Sequence, residues 1–334
     1  MERGQLVDHA RESIRRGSKS FTAASRLFDR KTRERVWLLY AWCRACDDIA
    51  DAQDHGGALG NQLGADKRLA TIRMLTARTF AGEDTCLPAF DALCLLARET
   101  SITSAMTDDV IAGFALDAAD WRPRSEADTL RYCFHVAGAV GVMMAVVMGV
   151  SPRDEDTLDR ACDLGIAFQL ANIVRDVAED HAAGRCYLPE DWLTEAGIDG
   201  HPLAPGHRAA TGEVLRRLCA LEKVYEASAR VGARRLRFRQ RWAVLAATGI
   251  YGAIARKAEQ LGEKALEQRI VISGVTKLGF VLQGFWQALF PRRRAEAPAL
   301  SRAELAALAR DDTVPAHPRA GGNVGPLQMN HNPA

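Results

Sequence analysis

Net charge, aromatic rings and strand-like alternation are all scarce in this chain of 334 residues. Its 44 basic and 42 acidic side chains leave a formal charge of +2, so no global field draws the protein towards nucleic acid. No GxGxxG stretch occurs, which removes the usual cradle for a dinucleotide. The longest apolar run, Val136 to Val150 (VAGAVGVMMAVVMGV), is shorter than the roughly 20 residues that cross a bilayer and reads as a core helix. Within it, Gly138, Gly141 and Gly149 allow another backbone or a ligand to come close. The eight cysteines are scattered, and the first residues, MERGQLVDHARES, carry no apolar stretch of the kind that directs secretion; a reducing, cytoplasmic setting is expected. Cys43 and Cys46 form a CxxC, but it falls inside an apolar helical pattern, with no second pair at zinc spacing and no strand-turn-helix around it. It reads as core.

What the chain has instead is a 3.6-residue apolar period in nearly every long segment. That predicts an all-α fold, with helices near 6–16, 32–52, 65–80, 88–99, 106–117, 126–148, 152–180, 212–234, 241–268 and 275–290. Ser151 before Pro152 looks like an N-cap followed by proline at the first helical position, with Asp154 and Glu155 complementing the dipole. No linker interrupts the pattern, so residues 1–290 are expected to form one helical domain. Residues 291–334, from PRRRAEAP to the Gly, Pro, Asn and His-rich end, are too poor in apolar side chains to pack and are expected to be a disordered tail.

Two helices end alike. In VWLLYAWCRACDDIAD, steps of three and four link Val36, Tyr40, Arg44, Asp47 and Asp51; from Leu158 onward the same stepping links Cys162, Gly165, Gln169, Asn172, Asp176 and Asp180. Each ridge is apolar at its start and acidic at its end. Carboxylates at i,i+4 lie about 5–6 Å apart and repel, a small cost on a solvated surface and a large one in a cleft. Either motif alone reads as readily as a solvated helix end. Both together, each with an arginine (Arg44, Arg175) and further acid (Asp48, Glu179), point to a clamp for Mg²⁺ and a diphosphate, since that ion takes a few carboxylates and completes its shell with water and phosphate oxygens. Asn172 supplies a neutral oxygen to the same ion, and both arginines suit bidentate contact with phosphate.

SKSF (18–21), YAWCRACDDIAD (40–51), RYCFHVAGAVG (131–141) and FQLANIVRDVAEDHAAGRCYLPEDW (168–192) resemble the squalene and phytoene synthases, most of all the bacterial phytoene synthases, over roughly residues 13–290. The resemblance implies an isoprenoid synthase fold around a central cavity. It implies metal binding by Asp47, Asp48, Asp51, Asn172, Asp176 and Asp180. It implies catalytic positions at Tyr40, Arg44, Tyr132, Gln169, Arg175 and Tyr187, and substrate contacts at Ser18, Lys19, Ser20, Phe21, Arg44, Val136, Asn172, Tyr251 and Arg269. Asp117 and Asp120 in GFALDAADW sit where related enzymes carry an acid after a similar helix, without showing which one faces the cavity. Read without the resemblance, a serine before a helix is more often a cap than a phosphate ligand, and Tyr132 and Tyr251 are core aromatics.

The implied reaction is head-to-head condensation of two geranylgeranyl diphosphates to phytoene through prephytoene diphosphate, the first committed step of carotenoid synthesis. It would use Mg²⁺, or Mn²⁺ in its place, and no nicotinamide. The alternatives are squalene or dehydrosqualene synthesis from farnesyl diphosphate, or a non-catalytic helical assembly protein. His135, among apolar neighbours, reads as a satisfied core histidine, and His181 as a surface residue. The basic stretches Arg234 to Arg241 and Arg292 to Arg294 are solvated charge or an attraction to anionic lipid, which leads to an expected peripheral membrane association and contact with other enzymes of the pathway.

Overall fold

The computed structural model describes residues 1–53, 64–119, 121–267, 269–290, 298 and 300–310. Among them no strand occurs. The helices run α1 (Arg3–Gly17), α2 (Lys19–Ser25), α3 (Arg30–Asp51), α4 (Ala65–Ala81), α5 (Pro88–Glu99), α6 (Ser104–Ala118), α7 (Glu126–Cys133), α8 (Ala139–Val147), α9 (Glu155–Ala182), α10 (Glu190–Glu195), α11 (Arg208–Gly232), α12 (Phe238–Leu261), α13 (Gly274–Leu289) and α14 (Arg302–Arg310). A π-helical turn, Phe134–Gly138, joins α7 to α8 without a break.

Helix α9 is the centre of the packing, with α8, α11 and α12 against it and α3 beyond α8. The approach of α8 to α9 depends on glycine. A Cβ on Gly141 would lie 2.2 Å from the carbonyl oxygen of Ala161, and one on Gly165 would lie 2.1 Å from that of Ala137. Gly138 meets the thiol of Cys162 in the same seam, whereas Gly149 serves a different end: its φ of +92° turns the chain after α8. The continuous helix Glu126–Val147 is long and apolar enough to cross a membrane by composition, but 72% of its apolar window is buried inside the protein. Its burial makes it a core helix.

Three local expectations are corrected. Helix α9 is capped by Asp154, whose carboxylate accepts from the Thr157 amide (3.2 Å) and hydroxyl (2.7 Å), and not by Ser151; a carboxylate that takes both donors is the stronger local cap. The short helices α2 and α10 carry too few turns to register as a period. The expected tail contains α14, where Leu305 is fully buried and Arg302 Nε donates to Asp159 at 2.7 Å, so one amphipathic turn is anchored to α9 by charge as well as by apolar contact. Residues 311–334 lie outside the described residues.

Substituting Gly165→Ala should lower stability by about 1–3 kcal/mol, because the clash is with backbone and has no side chain to deflect. Gly4→Ala, with nothing within 4 Å, serves as the control and should melt like the parent or slightly higher. Equal melting temperatures for Gly165→Ala and the parent would show that the two helices do not need this contact.

Candidate active site

Stepping along α3, Tyr40, Arg44, Asp47 and Asp51 turn one face into a chamber of about 450 Å³. Gln169, Asn172, Asp176 and Asp180 of α9 line the same chamber from another wall. Asp117 from α6 and Tyr132 from α7 complete it, with Arg185 and Tyr187 from the segment after α9. Both acidic pairs stand in the last turns of their helices, where the unpaired carbonyls already present partial negative charge. Electrostatically this is a poor place for carboxylates.

Burial compounds the cost. It raises the carboxyl of Asp47 to about 6, against a lowering by Arg44 and a further rise from Asp51. It raises that of Asp180 to about 7, helped by Asp176, and that of Asp117 to about 6 despite Arg185 and the Tyr187 hydroxyl. Arginines offset part of this. Arg44 Nη1 donates to Asp47 Oδ2 at 2.7 Å and lies 3.5 Å from Asp48. Arg175 grips both oxygens of Asp176, Nε to Oδ1 at 2.7 Å, and Arg269 Nε reaches the same oxygen at 3.1 Å. Arg185 Nη2 donates to Asp51 Oδ1 at 2.9 Å, so a residue placed by the end of α9 holds the end of α3.

Asp117 answers the question the sequence left open. Its two oxygens accept from Tyr187 (2.9 Å) and Tyr132 (3.3 Å), whose rings stack at 4.5 Å, with Trp121 stacked on Tyr132 at 6.1 Å. Three aromatic faces are therefore fixed beside the acids. Asp120 lies outside the described residues.

A second chamber of about 320 Å³ is apolar; it opens from the first where Val136, Val140, Gln169 and Asn172 line both. Met144, Met148, Leu236 and Val244 are among its walls. Phe168 and Tyr251 stack at 4.0 Å on one side, and Phe21 stands near Tyr40 with ring centres 5.8 Å apart. The π-helical turn carries Val136 to the junction; one extra residue in a turn re-aims the following side chains, a device frequent at functional sites.

Not every expected residue joins the site. Asp48 is not among the lining residues of either chamber, although its carboxylate lies 3.5 Å from Arg44, which is. Ser18 is the N-cap of α2, its hydroxyl accepting from the Phe21 amide at 3.2 Å. The side chains of Lys19 and Ser20 lie outside the described residues. Val36, Leu158 and Cys162, at the apolar starts of the two ridges, are core. His135 is a satisfied core histidine, Nδ1 against the Asp109 carbonyl at 2.7 Å, and burial holds its imidazole down to about 4. His181 pairs with His201 near the surface. Cys46 is buried and burial pushes the Cys43 thiol up to about 12, so neither is poised for redox chemistry.

Arg185 was missed by the sequence reading, although it stands in GRCYLP directly after the second acidic motif. It lies beyond the helix, where periodicity carries no information.

The donor set suits a hard divalent cation. The buried Asn172 Oδ1 has no hydrogen-bond partner, an oxygen aimed at nothing in a chamber of carboxylates. Among the described residues, no three acidic, imidazole or thiol side chains converge tightly enough to hold an ion by themselves. Water and a ligand's phosphate oxygens would complete the shell, which is how magnesium commonly binds.

Residues 14–276 match the squalene/phytoene synthase family. A 15-cis-phytoene synthase from Pantoea ananas is 44% identical over 301 residues, covering 89% of this chain and 97% of that protein. One from Enterobacter agglomerans is 46% identical over 285 residues, 84% of this chain and 96% of its own. Among solved structures, a dehydrosqualene synthase in complex with ligand aligns with a TM-score of 0.72 at 22% identity, covering 84% of this chain and 96% of that one. A squalene synthase from Alicyclobacillus acidocaldarius aligns with a TM-score of 0.66, also at 22% identity, over 80% and 96%. These two bear on the fold alone.

Because Asp180 has a folded-state carboxyl near 7 against an ordinary 3.8, ionising it in the ligand-free protein costs stability, a cost that grows as pH rises from about 4 to about 7 and is constant above that. Asp180→Asn should therefore melt higher than the parent at pH 8, by about 2 °C for an effect on the order of 1 kcal/mol, and the advantage should shrink towards pH 4. A variant less stable than its parent at pH 8 would contradict the strain assigned to this carboxylate.

Proposed function

The chain belongs to the squalene/phytoene synthase family, and from that premise we propose that it joins two geranylgeranyl diphosphates head to head to make phytoene. It is a prenyltransferase. The observation that carries the reading is that both acidic helix ends line one chamber, which opens directly into an apolar one. A diphosphate and its hydrocarbon chain need that sequence of environments.

Asp47, Asp51, Asp176 and Asp180, with the free oxygen of Asn172, are the residues that would hold Mg²⁺. Bound there, the ion would act as a Lewis acid on a diphosphate leaving group. The protein's own groups do the rest. Arg44, Arg175 and Arg269 lie against the carboxylates and are placed to exchange them for phosphate oxygens in a bidentate grip. Arg185 keeps the end of α3 tied to the segment after α9 while this happens.

The reaction loses one diphosphate to give an allylic cation, whose C1 is attacked by the C2=C3 bond of the second substrate. Loss of a proton closes the cyclopropane of prephytoene diphosphate; departure of the second diphosphate, rearrangement and loss of another proton give the hydrocarbon. Tyr132 and Tyr187, with Trp121 stacked behind Tyr132, offer ring faces that stabilise passing positive charge without bonding to it. Asp117 holds both phenols in place. The apolar walls of the second chamber, with the Phe168 and Tyr251 stack, keep water from the cation. No step needs a reductant.

Farnesyl diphosphate as substrate, giving squalene or dehydrosqualene, is the second reading. The relatives at 44–46% identity, both 15-cis-phytoene synthases, favour the C20 reading over it. We also place the protein at the cytoplasmic face of a membrane, where an oily product passes to the enzymes that consume it.

Purified protein given geranylgeranyl diphosphate and Mg²⁺ without nicotinamide should yield a C40 hydrocarbon; a C30 product formed faster from farnesyl diphosphate would favour the second reading. Asp47→Asn and Asp176→Asn should each lower turnover by more than the roughly 10- to 100-fold that loss of a ligand-orienting group costs, with the helical circular dichroism unchanged. Near-parental activity in either variant would overturn the role given to that carboxylate.

A further inference from the structure

Helix α13 (GVTKLGFVLQGFWQAL) touches the body of the protein by one narrow side. Only Gly284 and Ala288 are buried; a Cβ on Gly284 would lie 2.8 Å from the Ala246 amide, Phe280 covers Gly249, and Trp242 Nε1 donates to the Val281 carbonyl at 2.7 Å. All of these contacts are with α12. The opposite side is apolar and bare: Val275, Leu278, Leu282, Trp286 and Leu289, spaced three and four apart, are between 45% and 83% exposed, and Phe290 extends the stripe. Lys277 is the one charged residue in the helix. A soluble protein rarely leaves such a run in water without a partner for it.

The surroundings say which partner. Phe238 meets Phe285 at 5.5 Å, and Arg241 Nη1 donates to the Ala288 carbonyl while Nη2 donates to that of Arg234, both at 2.8 Å, so the basic stretch before α12 sits against the C-terminal end of α13. Arg234, Arg237 and Arg239 of that stretch are exposed; Arg239 Nε donates to the Leu27 carbonyl at 2.8 Å, and among the described residues no carboxylate pairs with any of the three. An apolar stripe with aromatic residues beside unpaired arginines is the signature of a helix that lies in the plane of a bilayer. The nearby carboxylates Asp154 and Asp156 are held by Arg235 and leave its neighbours free of acid. The end of the chain, residues 311–334, holds too few large apolar side chains to cover the stripe.

We propose that the exposed face of α13, with Arg234, Arg237 and Arg239 beside it, docks on the surface of an anionic lipid bilayer. Helix α12 then has the membrane-bound helix on one side and the apolar chamber on the other, since its Ala243, Val244 and Ala247 line that chamber. A hydrocarbon leaving beside α12 meets lipid before it meets water.

The test is sedimentation of the full chain with vesicles of phosphatidylcholine, with and without phosphatidylglycerol, in the absence of substrate, so that it succeeds or fails apart from the reaction. The parent should bind, more tightly to the anionic vesicles. Leu282→Glu with Trp286→Glu should reduce binding to both by at least about 50-fold, given two buried apolar side chains replaced by charge. Arg234→Glu with Arg237→Glu should weaken only the anionic case, by roughly 5-fold or more for each arginine, and flatten its salt dependence. Unchanged turnover in detergent micelles keeps misfolding apart from lost docking. The proposal is overturned if the parent fails to sediment with either vesicle, if the Leu282→Glu, Trp286→Glu variant sediments like the parent, or if light scattering shows a dimer that this variant splits without any lipid binding.

Discussion

The constraint on which the structure depends is the removal from water of carboxylates that also crowd one another. Five aspartates and two arginines line the polar chamber, and four of those aspartates stand at the carbonyl ends of α3 and α9. On an open helix surface one such pair would cost a few tenths of a kcal/mol. Here desolvation is the largest cause of every raised carboxyl, Asp47, Asp117 and Asp180 alike, and neighbouring charge is second to it. Arg44, Arg175, Arg185 and Arg269 relieve the strain without removing it. The chamber's acids are costly to hold ionised on their own, and the helices that carry them need strong anchoring elsewhere. The glycine seam between α8 and α9 supplies part of that anchoring.

The two chambers divide the labour of one substrate class. A diphosphate is charged and wet, its prenyl chain is neither, and the reaction happens at the carbon that joins them. Val136, Val140, Gln169 and Asn172 stand at the corresponding boundary in the protein. The exposed face of α13 continues the gradient outward. From the acids to the aromatic rings, the apolar walls and the exposed stripe of α13, polarity falls step by step.

Much of this was legible in the sequence because helical periodicity and site geometry coincide. Tyr40, Arg44, Asp47 and Asp51 lie on one face by arithmetic, and the structure turns that face into the chamber; Gln169, Asn172, Asp176 and Asp180 behave the same way. Where periodicity stops, so did the reading. Arg185 sits past the end of α9, and its link to Asp51 joins residues 134 apart in the chain. The π-helical turn at Phe134–Gly138 breaks the 3.6-residue count without a mark in composition. Asp48 came from likeness to a motif, and its carboxylate stands beside Arg44 without lining the chamber. Ser18 took the commoner role of a serine before a helix, and α14 packs because one leucine and one arginine were enough.

The most direct test of the central claim uses neither substrate nor turnover. Melting temperature is measured with Mg²⁺ alone, inorganic diphosphate alone, and both together. If the carboxylates take up the ion and the phosphate oxygens as one unit, each alone gives a small shift and the two together give one far larger than their sum. A full shift with Mg²⁺ alone, or additive shifts from the two, would contradict the account.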